Sequence, residues 1–314
     1  MTCQEKVAYL KSGIFEVLES FIDSDYWLCE VPHYSNVGDT LIWQGEMDFL
    51  KTLPFRRKGM SSHDSRRLPP IKKGDLVLFQ GGGNFGDLWK GGGPHEYRRQ
   101  VIESNPTCRF VVFPQTVWYV NEKNLKADAE FYSRYDCTIC ARDKRSYDVL
   151  KAHFKNEILL VPDMAFCMDM TKWNRGKFNA AKPFVLKRAD KEFCPSSNFE
   201  ATLSGLDADI DDWFPMTHRT KVDIWRCRIL SRPRSLGWAY EPYMYYVYRP
   251  YLIRSGVQQL MSHTDIYTTR LHACILSILL GKERIIFFDN SYGKNSGFYE
   301  TWLHDCENVR MVYG

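Results

Sequence analysis

Thr264-Asp-Ile-Tyr-Thr268-Thr-Arg270-Leu-His272-Ala-Cys-Ile-Leu-Ser-Ile-Leu-Leu280, followed shortly by Arg284-Ile-Ile-Phe-Phe288, is the stretch whose reading decides the fold. A short β-branched and aromatic run reads as a buried strand, a polar junction follows, and an apolar run of helical length leads to a second apolar strand. Strand, helix and strand in so few residues make a parallel pair with the helix packed across one face. The same alternation recurs upstream. Asp75-Leu-Val-Leu-Phe79 is a strand that ends in Gln80-Gly-Gly-Gly-Asn-Phe-Gly86, and Pro94 stands where a helix would start. Arg109-Phe-Val-Val-Phe113 reads as a strand stopped by Pro114, Asp136-Cys-Thr-Ile-Cys-Ala141 as another, residues 143–154 as a helix, and Ile158-Leu-Leu-Val161 as a strand closed by Pro162-Asp163.

The N-terminal end opens with Val7, Leu10, Ile14, Val17, Leu18, Phe21 and Ile22 at helical spacing, then a strand over 26–31. Asp39 reads as the N-cap of a helix to about residue 53. Polar sequence over 171–182 reads as a linker, and Pro183-Phe-Val-Leu-Lys-Arg188 starts a second alternation that continues through a helix near 251–262. Short apolar strands alternating with helices are the pattern of parallel sheets covered on both faces. The expectation is α/β: two doubly wound Rossmann-like domains facing a cleft, one over residues 1–172 and one over 173–314, with the last helix a candidate for packing back on the first.

Composition narrows the class of protein. The 314 residues are 44% hydrophobic and 25% charged, which excludes a disordered chain or a fibre. No stretch approaches the ~18 apolar residues of a membrane span. The opening Met1-Thr-Cys-Gln-Glu-Lys lacks the layout of a signal peptide, so a cytoplasmic location is expected. A net charge of +4 over this length does not call for a nucleic-acid partner. Ten cysteines scattered from Cys3 to Cys306 read as free buried thiols, including the Cys137-x-x-Cys140 pair, which has no second half-site.

Several motifs carry chemistry. Gly81, Gly82, Gly83 and Asn84 follow a strand and spell a G-x-G-x-x-G match through Gly86. No acidic residue ends the next strand, so a dinucleotide loop, another ligand loop and a structural turn all stand. Arg270 and His272 fall where a parallel strand gives way to a helix, the edge at which such sheets bind ligands. Arg offers a planar fork to carboxylate or phosphate, and His carries a proton near neutral pH. Asp289-Asn290-Ser-Tyr292-Gly-Lys294 occupies the equivalent place after the next strand, and Arg188 ends the first strand of this half, so one convergent cationic site is expected. Asp207-x-Asp209 with Asp211 and Asp212 follows no apolar strand and reads as a solvated acidic loop, with metal binding as the alternative. Residues 219–234 carry six basic side chains and 225–251 eight Trp or Tyr, a surface for sugar, lipid headgroup or single-stranded nucleic acid, or plain interface packing.

Taken together, the chain resembles the polysaccharide pyruvyl transferase family. The resemblance rests on Asn36-Val-Gly-Asp39, Gly81–Gly83, Ala141-Arg-Asp-Lys-Arg-Ser146, Pro162-Asp163, Arg270-Leu-His272 and Asp289-Asn-Ser-Tyr-Gly-Lys294, in that order. It implies a fold similar to GT-B glycosyltransferases and transfer of the pyruvate unit of phosphoenolpyruvate to a hydroxyl pair of a galactose-type or mannose-derived sugar. The product is a cyclic ketal in exopolysaccharide or capsule synthesis. Arg270, Lys294, Arg188, Asn290 and Tyr292 are then expected to bind the donor and His272, with Arg270, to act in catalysis. Asn36, Asp39, Gly81, Gly82, Gly83 and Asn84 are expected on the acceptor side. Phosphoenolpyruvate is a co-substrate, and no cofactor or metal is expected. A lipid-linked acceptor would bring the chain to the inner face of the cell membrane. The competing readings are a GT-B glycosyltransferase using a nucleotide sugar and a non-catalytic carbohydrate- or nucleic-acid-binding protein.

Overall fold

The structure is a computed structural model that describes residues 1–63, 68–88, 93–173, 182–190, 192–193, 196–214 and 241–313. The chain divides into two units. The first holds Met1–Pro32, Ile42–Met168 and Gly297–Cys306, and the second His33–Leu41, Asp169–Ser296 and Glu307–Gly314. The segment His33–Leu41 thus departs from a boundary at residue 172, and Gly297–Cys306, near the C-terminal end, groups with the first unit.

In the first unit, helix α1 (Cys3–Leu18) starts at a capping box between Thr2 and Glu5 and buries Leu10, Ile14 and Leu18. Then come β1 (Tyr26–Cys29), α2 (Val37–Leu50, which starts in the second unit and joins the first at Ile42), β2 (Arg57–Ser61), β3 (Leu76–Phe79), β4 (Gly82–Gly86), α3 (Pro94–Ser104), β5 (Arg109–Trp118), α4 (Glu122–Tyr132), β6 (Cys137–Ala141), α5 (Lys144–His153) and β7 (Ile158–Leu160). The sheet runs β2-β1-β3-β5-β6-β7 with β4 beside β5, every pairing parallel. Val77, Phe79, Phe110, Val112, Ile139, Tyr132 and Phe154 meet in one core cluster. Each such side chain removed from water stabilises by roughly 1.5–3 kcal/mol.

Two local expectations are corrected here. Pro114 does not stop its strand: β5 continues to Trp118 because its neighbour changes from β3 to β4, and the register skips Phe113 and Pro114 on both edges, so no ladder bond is asked of the proline nitrogen. The glycine-rich stretch is not a loop throughout, since Gly82–Gly86 forms β4. Gly86 has φ +118°, and a Cβ there would lie 1.9 Å from the Trp118 carbonyl oxygen. Only glycine lets β4 approach β5 this closely.

The second unit contains β8 (Phe184–Leu186), α6 (Ser197–Leu203), β9 (Asp209–Asp211), α7 (Arg249–Met261), β10 (Ile266–Thr268), α8 (Leu271–Leu279), β11 (Ile285–Phe288), α9 (Lys294–Phe298, which runs on into the first unit) and β12 (Val309–Val312). Its sheet, β12-β11-β10-β8-β9, is again wholly parallel. The strand–helix–strand reading of 264–288 corresponds to β10, α8 and β11. The acidic stretch, expected as a solvated loop, supplies the edge strand β9 instead. Pairing to β8 on one side only lets Asp209 and Ile210 stay exposed.

The eight cysteines among the described residues are buried and none of them is in a disulfide. No helix among those residues is long and apolar enough to cross a membrane. Arg226, Arg228, Arg232 and Arg234 of the basic aromatic segment, and most of the expected linker, lie outside the described residues.

Candidate active site

Four strands of the second unit deliver side chains to its carboxyl edge, and each does so through the residues just past its end. Beyond β8, Arg188 is buried and its N–H donates to Thr269 Oγ1 (3.0 Å). Its guanidinium grips Asp190 with two bonds, Nε to Oδ1 (2.7 Å) and Nη2 to Oδ2 (3.0 Å), and gives Nη1 to Glu192 Oε2 (2.6 Å). Past β9, the buried Asp212 accepts from the Trp213 N–H (2.8 Å) and the Ala189 N–H (3.3 Å).

Arg270 follows β10 with an extended backbone, at the N-cap of α8, and its N–H is held by Thr268 Oγ1 (3.0 Å). Its side chain turns to Asp212, with both Nε and Nη2 on the carboxylate, and reaches Asp190 Oδ2 at 3.4 Å. After β11, the Asn290 side-chain oxygen accepts from the Lys294 N–H (2.7 Å), which shapes the turn that presents Tyr292 and Lys294. Tyr292 OH donates to Glu192 Oε2 (3.1 Å), and Lys294 Nζ lies 3.6 Å from the same oxygen.

Arg188, Arg270, Asn290, Tyr292 and Lys294 are therefore gathered as expected neighbours, but already engaged by carboxylates. Burial alone would raise the Glu192 carboxyl, yet the charges of Lys294 and Arg188 outweigh it and hold it down at about 2. Asp190 is lowered in the same way, burial being overcome mainly by Arg188. Asp190 and Glu192 are partners that the motif reading missed. The alternating signs of Arg188-Ala-Asp190-Lys-Glu192 carry the signal, since a basic residue and carboxylates two and four positions on share one loop. Asp212 is 58 residues from Arg270 in sequence, and no local signal marks that pair. A depression of about 380 Å³ opens beside the cluster, lined by Lys187, Arg188, Asp190, Phe193, Asp211 and Asp212 among others.

His272 sits in the first turn of α8 and is buried. It packs on Gly38, where an added Cβ would stand 2.6 Å from the imidazole Nδ1. The Asn36-Val-Gly-Asp39 motif is thus in the second unit and directly against His272. Asn36, not Asp39, caps α2: its side-chain oxygen accepts from the N–H groups of Gly38 (2.9 Å) and Asp39 (3.4 Å). Asp39 lies in the first turn and its carboxylate accepts from Asn36 Nδ2 (2.7 Å) and Tyr34 OH (2.9 Å).

The remaining motifs lie in the first unit. The Gly81 N–H donates to Glu46 Oε1 (2.8 Å), and the Asn84 N–H to Gln115 Oε1 (3.3 Å), so Gly81–Gly83 and Asn84 are tied to α2 and β5. Burial pushes the Glu46 carboxyl well above its usual range, despite the Gly81 bond that lowers it. Arg142 pairs with Asp163 (2.8 Å), both fully buried, and Asp143 caps α5 through the Ser146 N–H (2.8 Å). Those two family-like motifs hold elements together. Among the described residues, no group of three or more His, Cys, Asp or Glu is placed to share a metal ion.

The edge gathers guanidinium, ammonium, amide and phenol groups in the unit that also holds His272. The family described as polysaccharide pyruvyl transferase matches residues 36–292. The chain is 29% identical to the Bacillus subtilis protein named "Putative pyruvyl transferase EpsO", over 96% of this chain and 92% of that one. It is 27% identical to "Pyruvyl transferase 1" of Schizosaccharomyces pombe, over 88% of this chain and 69% of that one. A crystal structure of a functionally uncharacterised Klebsiella pneumoniae protein matches with a TM-score of 0.62 at 18% identity, covering 97% of this chain and 99% of that one, a likeness of fold.

Proposed function

The chain belongs to the polysaccharide pyruvyl transferase family and is a pyruvyl transferase, and on that premise we propose that phosphoenolpyruvate is its donor and a sugar hydroxyl pair its acceptor. The observation that carries this reading is the meeting of His272 with the Asn36–Asp39 turn at the edge where Arg270 and the Asn290–Lys294 loop converge. A donor that bears both a carboxylate and a phosphate calls for several fixed cationic and neutral hydrogen-bond donors. Arg188, Arg270, Asn290, Tyr292 and Lys294 are such groups within one unit.

The chemistry runs as follows. The methylene carbon of phosphoenolpyruvate takes a proton, which leaves an oxocarbenium-like centre at C2. One sugar hydroxyl oxygen bonds to C2 and gives up its proton. The second hydroxyl then attacks C2 as the bridging C–O bond breaks, inorganic phosphate departs, and the second proton goes to base or to phosphate. The product is a cyclic ketal bearing a free carboxylate. In this reading His272 holds or moves one of these protons, the Asn36–Asp39 turn orients the acceptor, and Gly81–Asn84 belong to the acceptor side. The reaction takes place in the cytoplasm or at the inner face of the membrane.

Calorimetric titration with phosphoenolpyruvate, with UDP and UDP-galactose in parallel, tests the donor. Arg270→Lys is the control of choice, because Arg270→Ala would strand the buried Asp212. Saturable phosphoenolpyruvate binding, weakened in the variant, followed by phosphate release with a galactoside or mannoside acceptor, is the expected result. Binding of UDP alone would assign a nucleotide-sugar transferase instead.

A further inference from the structure

We propose that Glu192 is an internal competitor for the anion-binding niche: its carboxylate stands where a phosphate or carboxylate of the ligand is to be held. Four donors from two separate loops converge on one of its oxygens. Arg188 Nη1 lies at 2.6 Å, Tyr292 OH at 3.1 Å, Asn290 Nδ2 at 3.4 Å and Lys294 Nζ at 3.6 Å from Oε2. A carboxylate oxygen has two lone pairs. It serves the first two donors well, and the longer distances to Asn290 and Lys294 are what remains. A phosphate, with three terminal oxygens in a tetrahedral spread, or a carboxylate entering with both oxygens, can serve all four.

Charge points the same way. Arg188, Arg270 and Lys294 are faced by Asp190, Glu192 and Asp212, three cations against three carboxylates. Among these described side chains, a multiply charged anion meets no excess of positive charge until one carboxylate moves. Glu192 is the one that can do so with its loop still docked. Its backbone carbonyl accepts from the Ser291 N–H (3.3 Å) and its own N–H donates to Asp190 Oδ1 (3.0 Å), so rotation of the side chain leaves both bonds in place. Asp212, by contrast, accepts backbone N–H groups through its carboxylate itself. The inference takes the donor identity from the preceding section, but the niche stands without it. Its consequence is selectivity: a lone small anion must recover the cost of displacing Glu192 from one set of contacts, whereas a ligand that also binds elsewhere in the site recovers it twice.

The test is calorimetric titration of the unaltered protein and Glu192→Gln, which keeps the shape and removes the charge, with inorganic phosphate and with phosphoenolpyruvate. Both are expected to bind the variant about ten-fold or more tightly, from loss of one like charge at contact distance. Unchanged or weaker binding of both overturns the proposal, and if phosphoenolpyruvate still binds the unaltered protein, the donor reading survives. Tighter phosphate binding with no preference for phosphoenolpyruvate supports the niche and sinks the donor reading. No binding of either anion to either protein sinks both. Should Glu192→Gln fail to fold, a crystal structure of the unaltered protein soaked in phosphate decides. Glu192 must have turned away from Tyr292 and Lys294 with the anion in its place, and a carboxylate still seated there overturns the proposal.

Discussion

Gly38→Ala should separate activity from stability. Gly38 lies in the first turn of α2, and a Cβ there would stand 2.6 Å from Nδ1, 3.0 Å from Cγ and 3.1 Å from Cβ of His272. Ordinary carbon contacts begin near ~3.5 Å, so the imidazole must retreat by about 1 Å. Turning the ring alone gives no relief, because the His272 Cβ and Cγ are crowded as well. Alanine favours the helix by about 1 kcal/mol relative to glycine, while overpacking costs about 1–3 kcal/mol. The net loss of stability is then about 0–2 kcal/mol. A displacement of about 1 Å at a catalytic group can lower turnover by ~10²-fold. Phosphate release from phosphoenolpyruvate with a galactoside or mannoside acceptor reads the first effect and denaturant unfolding the second. Gly13→Ala is the matched control, since Gly13 is interior to α1 with nothing within 4 Å of the added carbon. It should stabilise by about 0.5–1 kcal/mol and leave turnover unchanged. Wild-type turnover in Gly38→Ala would refute the placement of His272 at the reacting centre.

His272→Ala should keep its fold and its phosphoenolpyruvate affinity while turnover falls by about 10²–10⁴, and a variant that turns over normally removes His272 from the mechanism. Arg142→Ala should lose about 3–5 kcal/mol in denaturant unfolding, because it strands the buried Asp163; a loss under about 1 kcal/mol would mean the pair is not what holds β6 to the turn after β7. Gly86→Ala meets both a backbone clash and a positive φ, so a cost of about 3 kcal/mol or more is expected, and a soluble variant with unchanged unfolding would contradict the β4–β5 approach. For Glu192 the folded carboxyl lies at about 2, below the ordinary 4.5. Its contribution to stability is therefore present above about pH 4.5 and lost as pH falls toward 2. Glu192→Gln should flatten the acid limb of unfolding measured between about pH 5 and 3, and an unaltered limb would deny the ion pairs.

The central strands were legible because a strand covered on both faces must be apolar along its length. Leu76-Val-Leu-Phe79 and Ile285-Ile-Phe-Phe288 announce themselves in that way. Of the strands that pattern reading passed over, β2, β9 and β12 lie at sheet edges, and the glycine-rich β4 lies off the main order of its sheet, beside β5. Asp209-Ile-Asp211 can be acidic because it has one neighbour and a solvated side. Pro114 misled for a related reason: a proline ends a strand only where a ladder bond is due, and the register skips it here.

In the site, the sequence by itself determined which side chains reach the carboxyl edge of the second sheet, since strand ends and the turns after them are local features. It therefore brought Arg188, Arg270, His272, Asn290, Tyr292 and Lys294 into view. What those groups face was decided only by the tertiary structure. Asp212 meets Arg270 across 58 residues, and Glu192 draws in Asn290 and Tyr292 across about 100, because one parallel sheet gathers at its carboxyl edge the ends of strands that are distant in the chain. Gly38, in the first turn of a helix, meets His272 across a still longer stretch of chain. A short motif near the N-terminus becomes the wall behind a histidine far along the chain, and no spacing rule records that contact.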